Sequence, residues 1–288
     1  IDDFPPGAAA ITRLMPPLLA ALNATPELRR RLFAAEFLTT MAGDALITLI
    51  YHRGLDAAWQ DAALALANQL DCSLIGRSHR QKIVIGRDHV TETLSVAGRS
   101  YSWQQIESGF TQPNAVINRE MLAWTAEQAR NLGGDLLELY CGNGNFTLVL
   151  AAKFERVLAT EVAKLSVRAA HHNLAANGID NVALVRMSSE EVGQALAGVR
   201  PFRRLQDIDL GAYRFSTLLV DPPRAGLDAT TLALAKTFRN IFYISCNPQT
   251  LKNNLMELNA THRVAEFAVF DQFPGTRHLE CGALLVRR

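Results

Sequence analysis

The apolar positions of the chain fall into two textures that change near Phe110. In the first, spacing is mixed. Residues 8–23 are rich in Ala and Leu at helical intervals, and LFAAEFLTT (32–40) and ALITLIYHR (45–53) read as strands around the turn Ala42-Gly43-Asp44. DAAWQDAALALANQL (56–70) predicts an amphipathic helix with Asp56 as its N-cap. Short strands follow at CSLIG, KIVIG and SYSWQQI. Helix, hairpin, helix and strands in that order predict a small α+β domain over residues 1–108, built on an antiparallel sheet.

From residue 109 onward, short apolar runs alternate with helical segments. A helix over 114–131 leads to DLLELY, and the turn CGNGNF opens the helix TLVLAAKF. RVLATE, KLSVRAAHHNLAANG, ALVRM, EEVGQALA, STLLVDPP, DATTLALAKTF, IFYISC and LKNNLMEL continue the strand–helix alternation, and RVAEFAVF and ECGALLVR close the chain as two adjacent strands. Such alternation predicts right-handed βαβ units and an α/β fold with a mainly parallel sheet, the last pair supplying an antiparallel edge.

Composition narrows the classes. Apolar residues make up 49% of the 288 positions, ample for a sizeable core. No apolar run approaches the ~18 residues of a membrane span. The first residue is Ile rather than Met, which predicts a start inside a longer protein. The four cysteines, Cys72, Cys141, Cys246 and Cys281, form no CxxC, so a metal site is not expected and a reduced cytoplasmic setting is. The net charge of +1 gives no global nucleic-acid signature. Basic clusters at Arg29-Arg30-Arg31, Arg77 to Lys82 and Arg203-Arg204 read as solvated faces that keep such binding open.

The candidate chemistry gathers at strand ends. Gly142 and Gly144 lie between a strand and a helix, where glycine allows a tight turn and a close ligand. The third glycine of a dinucleotide fingerprint is missing, because residue 147 is Thr. Glu161 ends the next strand and is placed to accept hydrogen bonds from ribose hydroxyls, a pattern suited to S-adenosylmethionine. Asp221-Pro222-Pro223-Arg224 stops another strand; alone it reads as a rigid loop. Cys246 stands at the open end of FYIS, where a thiol is better placed as a nucleophile than as core. Ligands of open α/β sheets bind outside the carboxyl ends of the strands, so four candidates converge on one edge.

Taken together, FTQPN (110–114), LELYCGNGNF (137–146), ATE (159–161), DPPRAG (221–226), ISCNP (244–248) and HLECG (278–282) resemble the S-adenosylmethionine-dependent RNA uracil-5-methyltransferases, the tRNA branch more closely than the ribosomal-RNA branch. The resemblance implies a Rossmann-like methyltransferase domain after the α+β domain. It implies Cys246 as nucleophile and Glu280 as proton acceptor. Gln112, Tyr140, Gly142, Asn145, Glu161 and Asp221 would bind the cofactor S-adenosylmethionine, and Arg224 would lie near the target base. It further implies a tRNA T-loop as partner and an RNA-contacting first domain whose front part this chain lacks; a monomer with no metal and no membrane span is the expectation alongside it. Tyr140, Phe146 and Phe273 are candidates to stack on a base, each alone reading as core.

Other readings stay open at this point. A nicotinamide-linked oxidoreductase would want the missing glycine. A non-catalytic tRNA-binding or remodelling protein would tolerate loss of Cys246, and a ribosomal-RNA enzyme would share its chemistry. A cytosine-5-methyltransferase would place its cysteine directly after proline.

Overall fold

The computed structural model describes residues 7–288, so the start of the predicted first domain lies outside the described residues. Contacts divide the chain into two compact units: the chain up to Thr93 with Gln104–Gly109, and Leu94–Trp103 with Phe110–Arg288.

In the first unit, helices α1 (Ala9–Ala24) and α2 (Pro26–Arg29) precede the hairpin β1 (Leu32–Thr39) and β2 (Ala45–Tyr51). Helix α3 (Ala57–Leu70) follows, then β3 (Ser73–Ser78) and β4 (Gln81–Ile85). The Asp56 side chain caps α3, accepting from the Trp59 amide at 2.9 Å. The sheet order is β1-β2-β3-β4. Its outer pairs are antiparallel, but β2 and β3 run parallel, which corrects the expected antiparallel sheet. The reason is α3: a helix between two neighbouring strands returns the chain to the same end of the sheet, and the second strand must then point the same way. A ribbon of β5 (His89–Val96) and β6 (Arg99–Ile106) follows, of which Leu94–Trp103 belong to the second unit.

The second unit runs α4 (Ala115–Gln128), β7 (Asp135–Leu139), α5 (Asn145–Leu150), β8 (Val157–Thr160), α6 (Lys164–Ala176), β9 (Val182–Val185), α7 (Ser189–Leu196), β10 (Phe215–Val220), α8 (Ala229–Ala235), β11 (Asn240–Ser245), α9 (Pro248–Leu258), β12 (His262–Phe270) and β13 (Glu280–Arg287). Its seven-stranded sheet has the order β12-β13-β11-β10-β7-β8-β9. From β11 to β9 all pairs are parallel; β13 is antiparallel to both neighbours and sits one place in from the edge. The fold is thus α/β with a mainly parallel sheet.

Both faces of this sheet are covered, and strand alternation divides the core between them. Leu136, Leu219, Phe242 and Ile244 point to one apolar layer; Leu137, Leu139, Leu218, Val220, Ile241 and Tyr243 point to the other. A sheet buried on both sides can expose chemistry only at its edges, and the turns after β7, β8, β10 and β11 all open at the carboxyl edge.

Candidate active site at the carboxyl edge of the sheet

After β7 the chain takes left-handed backbone conformations at Tyr140 (φ 62°), Gly142 (φ 57°) and Gly144 (φ 83°). Glycine carries this conformation without strain, whereas Tyr140 adopts it at a cost held by its surroundings. The Tyr140 hydroxyl donates to Ser189 Oγ at 2.8 Å. A Cβ built on Gly142 meets nothing within 4 Å, so there is open space above this turn. The Gly142 amide donates to Glu161 Oε2 at 3.1 Å. Glu161 Oε1 accepts from the amides of Val162 (2.8 Å) and Ala163 (2.7 Å). This acid therefore ties the two strand-end turns together and keeps acceptor capacity on Oε2.

Asn145 and Asn118 exchange side-chain amide hydrogen bonds, both 2.9 Å. Gln112 accepts from Gln272 Nε2 at 2.8 Å, while buried Gln272 leaves its own Oε1 unpartnered. Asn118, Gln272 and Ser189 are invisible to a motif reading, because they lie far from the motifs they hold.

Cys246 stands one residue beyond β11, half-buried. The register pairs Ser245 with Cys281, so the antiparallel strand β13 delivers Glu280 to the next rung, beside Cys246. Helix α9 begins at Pro248, three residues earlier than the sequence predicts, with Asn247 as its cap accepting from the Gln249 amide at 3.1 Å. Asn247 Nδ2 also donates to the Arg224 carbonyl (3.0 Å), as does Thr250 Oγ1 (3.2 Å). The 221–226 loop and the cysteine loop are thereby held against each other.

Electrostatically the edge is acidic. Glu280 is only 2% exposed, and this burial pushes its carboxyl up to about 8, with Asp221 adding to it. Burial pushes Asp221 up to about 7. Burial also raises the Cys246 thiol, reinforced by Glu280 and Asp221, while Arg224 pulls it back down. One further acid escaped the sequence reading. Glu138, the fourth of the five residues of β7, is fully buried; burial drives it up to about 8, Thr147 pulls it back down and the nearby Asp221 adds to the rise. Its signal was an acid between two leucines near the end of the strand DLLEL, whose other acid, Asp135, opens the strand and pairs with Arg156.

Residues 1–288 match the family described as tRNA (uracil-5-)-methyltransferase. The chain belongs to that family. A relative named tRNA/tmRNA (uracil-C(5))-methyltransferase from Aromatoleum aromaticum is 60% identical over 288 residues, all of this chain and 78% of the relative. One of the same name from Dechloromonas aromatica is 58% identical over all of this chain and 80% of the relative. The solved Pyrococcus abyssi tRNA (uracil-54, C5)-methyltransferase in complex with S-adenosyl-L-homocysteine superposes with a TM-score of 0.74 at 19% identity, covering 99% of this chain and 69% of that one. That likeness carries the fold.

In this member of the tRNA (uracil-5-)-methyltransferase family, Cys246, Glu280, Asp221 and Arg224 act on one another, and Gly142 and Glu161 are joined. Tyr140, Gln112 and Asn145 are bonded to Ser189, Gln272 and Asn118 instead. Phe146 belongs to the apolar core, and Phe273 sits edge-on to His278 with centroids 6.0 Å apart. Two basic clusters find acids of their own. Arg77 grips Glu107 (Nη2 to Oε2 2.6 Å) with Lys82 beside it at 3.1 Å, and Arg204 lies 3.3 Å from Glu191. No group of three or more metal-type ligands occurs among the described residues, and no described helix is long and apolar enough to cross a membrane.

Proposed function

We propose that the chain transfers a methyl group from S-adenosylmethionine to carbon 5 of a uridine in the tRNA T-loop, through a covalent bond between Cys246 and the uracil ring. The observation that carries this is the adjacency of Cys246 and Glu280 on neighbouring strands, with Arg224 beside the thiol. Support for a uracil of tRNA as target comes from the names of the relatives, and for the T-loop from the uracil 54 named for the archaeal neighbour.

The residues fit a cationic cofactor. Three acids, Glu138, Asp221 and Glu280, are held above their ordinary range chiefly by burial, and a cation bound beside them would favour their ionised forms. Gly142 leaves room for a ligand over the turn, and Gln272 holds an unpartnered polar atom, Oε1. Glu161 would take the ribose, and Gln112, Tyr140, Asn145 and Asp221 the remainder. The cofactor supplies an electrophilic methyl group on a positively charged sulfur.

The uracil ring must first leave its stack, at a cost of a few kcal/mol. The Cys246 thiol gives up its proton to solvent and bonds to carbon 6 as the thiolate, and the displaced electron pair moves into an enolate whose oxygen Arg224 would stabilise. Carbon 5 of that enolate takes the methyl group. Glu280 removes the proton left on carbon 5, the 5,6 double bond reforms, and the electron pair of the carbon–sulfur bond returns to Cys246. A carboxyl raised to about 8 is a stronger base than an exposed glutamate, which suits abstraction from carbon. In this account residues 109–288 carry the chemistry and residues 1–108 contact RNA; the chain acts as a cytoplasmic monomer.

The test is Cys246→Ala on unmodified tRNA with S-adenosylmethionine, read by mass spectrometry of nucleosides. The wild-type chain forms 5-methyluridine at the T-loop and the variant forms none. Turnover in the variant would remove the mechanism, and product in ribosomal RNA alone would remove the substrate.

A further inference from the structure

At the amino edge of the seven-stranded sheet, opposite the thiol, lies a polar cavity of about 770 Å³. Four of its lining residues are arginines: Arg239, Arg263, Arg287 and Arg288. Strand order explains their meeting. Arg239 precedes β11, Arg263 is the second residue of β12, and the antiparallel β13 brings Arg287 and Arg288 to the same edge. The Arg287 amide donates to the Arg239 carbonyl at 2.9 Å, and Arg263 pairs in register with Val286. Neighbouring strands stand about 4.8 Å apart, so these cations accumulate over two strand spacings.

All four are exposed, and none is in an ion pair with a carboxylate among the described residues. Arg287 donates to the Thr237 carbonyl, and Arg288 donates to the carbonyl and side chain of Asn259. Those are neutral acceptors that orient guanidinium groups without cancelling their charge. Arg156 on the same edge shows the contrast, since Asp135 pairs with it at 2.9 Å. Clustered guanidinium groups repel one another, and planar forks of N–H donors around a roomy polar cavity match phosphate oxygens. In a chain of net charge +1, such a concentration is a local feature.

We propose that this pocket binds backbone phosphates of the RNA substrate, as a second anchor remote from the catalytic edge. This rests on the tRNA reading given above. Strand β11, which runs from the pocket's end to Cys246, is 6 residues long, roughly 20 Å, so the anchor holds a part of the RNA other than the one carrying the target uridine.

The test is the double variant Arg239→Ala/Arg263→Ala, chosen because neither side chain makes a hydrogen bond to the fold in the structure. Full-length unmodified tRNA and a short T-arm hairpin serve as substrates. For tRNA, KM rises about five- to twentyfold, and the slope of log affinity against log salt falls by about 0.7 to 0.9 per lost phosphate contact. The kcat, the affinity for S-adenosylmethionine and the KM for the hairpin stay within twofold. Arg239→Lys/Arg263→Lys restores most of the tRNA affinity. An unchanged KM and salt slope, or an equal loss on hairpin and tRNA, would overturn the anchor. So would arginine-dependent binding of a mononucleotide with tRNA binding unaffected, since the pocket would then serve free phosphate esters. A wild-type chain that makes no 5-methyluridine sinks the functional reading instead, and that result is separate from any of these.

Discussion

In the proposed mechanism, Glu280 is the residue on which the last step turns. Replacing it with Gln keeps its shape and removes its basicity. Glu280→Gln is expected to form the bond to uracil and fail to resolve it, so that protein and RNA migrate together on a denaturing gel while turnover drops by about 10²- to 10⁴-fold. Normal product release by this variant would exclude the assignment. The raised acids also set a pH dependence. Glu138, Asp221 and Glu280 hold protons near neutrality, and a cationic ligand favours their ionised forms. Affinity for S-adenosylmethionine therefore rises between pH 6 and pH 8.5, and binding releases protons; calorimetry in two buffers of different ionisation heat measures this, and a pH-independent affinity contradicts it. For Glu138 the linkage to folding has the opposite consequence. Its native value, about 8, lies above the ordinary carboxylate value, so the stability tied to its neutral form is complete below about pH 4.5 and is lost as pH rises towards 8. Glu138→Gln should flatten that decline and leave the protein more stable than wild type at pH 8, by an amount on the order of a few kcal/mol. Thermal unfolding across pH 5 to 8.5 reads it directly.

Between elements, the site is kept in register by α9. Gly226 has φ 78°, and a Cβ there would lie 2.7 Å from Asn254 Oδ1, the atom that accepts from Tyr243 and from the Leu227 amide. Gly226→Ala is expected to lower the unfolding midpoint by several degrees and to raise KM for RNA by displacing Arg224; wild-type values for both would show that the loop does not depend on this packing. The same scale shows what was readable from sequence. The parallel strands were legible because they are short apolar runs between helices, and β13 matches the predicted ECGALLVR at both ends. The β5 strand was not foreseen, because one of its inward positions is Glu92, a buried acid satisfied by the amides of Met41 and Thr93, which breaks the apolar alternation. The parallel β2–β3 pairing was missed because two hairpin-like neighbours masked the crossover made by α3. At the site, strand-end residues were visible through their motifs. Their partners Asn118, Ser189 and Gln272 were not, since only folding brings them close.

At the scale of the molecule, the sheet separates two tasks. Its carboxyl edge gathers acids, a thiol and open space; its amino edge gathers unpaired arginines. The family assignment rests on the whole chain, and the chemistry rests on one bond. That bond can be trapped without altering the protein. In tRNA transcribed with 5-fluorouridine, carbon 5 carries fluorine in place of hydrogen, so after methyl transfer Glu280 has no proton to remove and the adduct persists. Digestion followed by mass spectrometry of the cysteine-containing peptides is the most direct measurement. The account predicts a methylated, fluorinated uridine attached to the peptide that carries Cys246; an unmodified Cys246 peptide, or the nucleotide attached at any other residue, would contradict it.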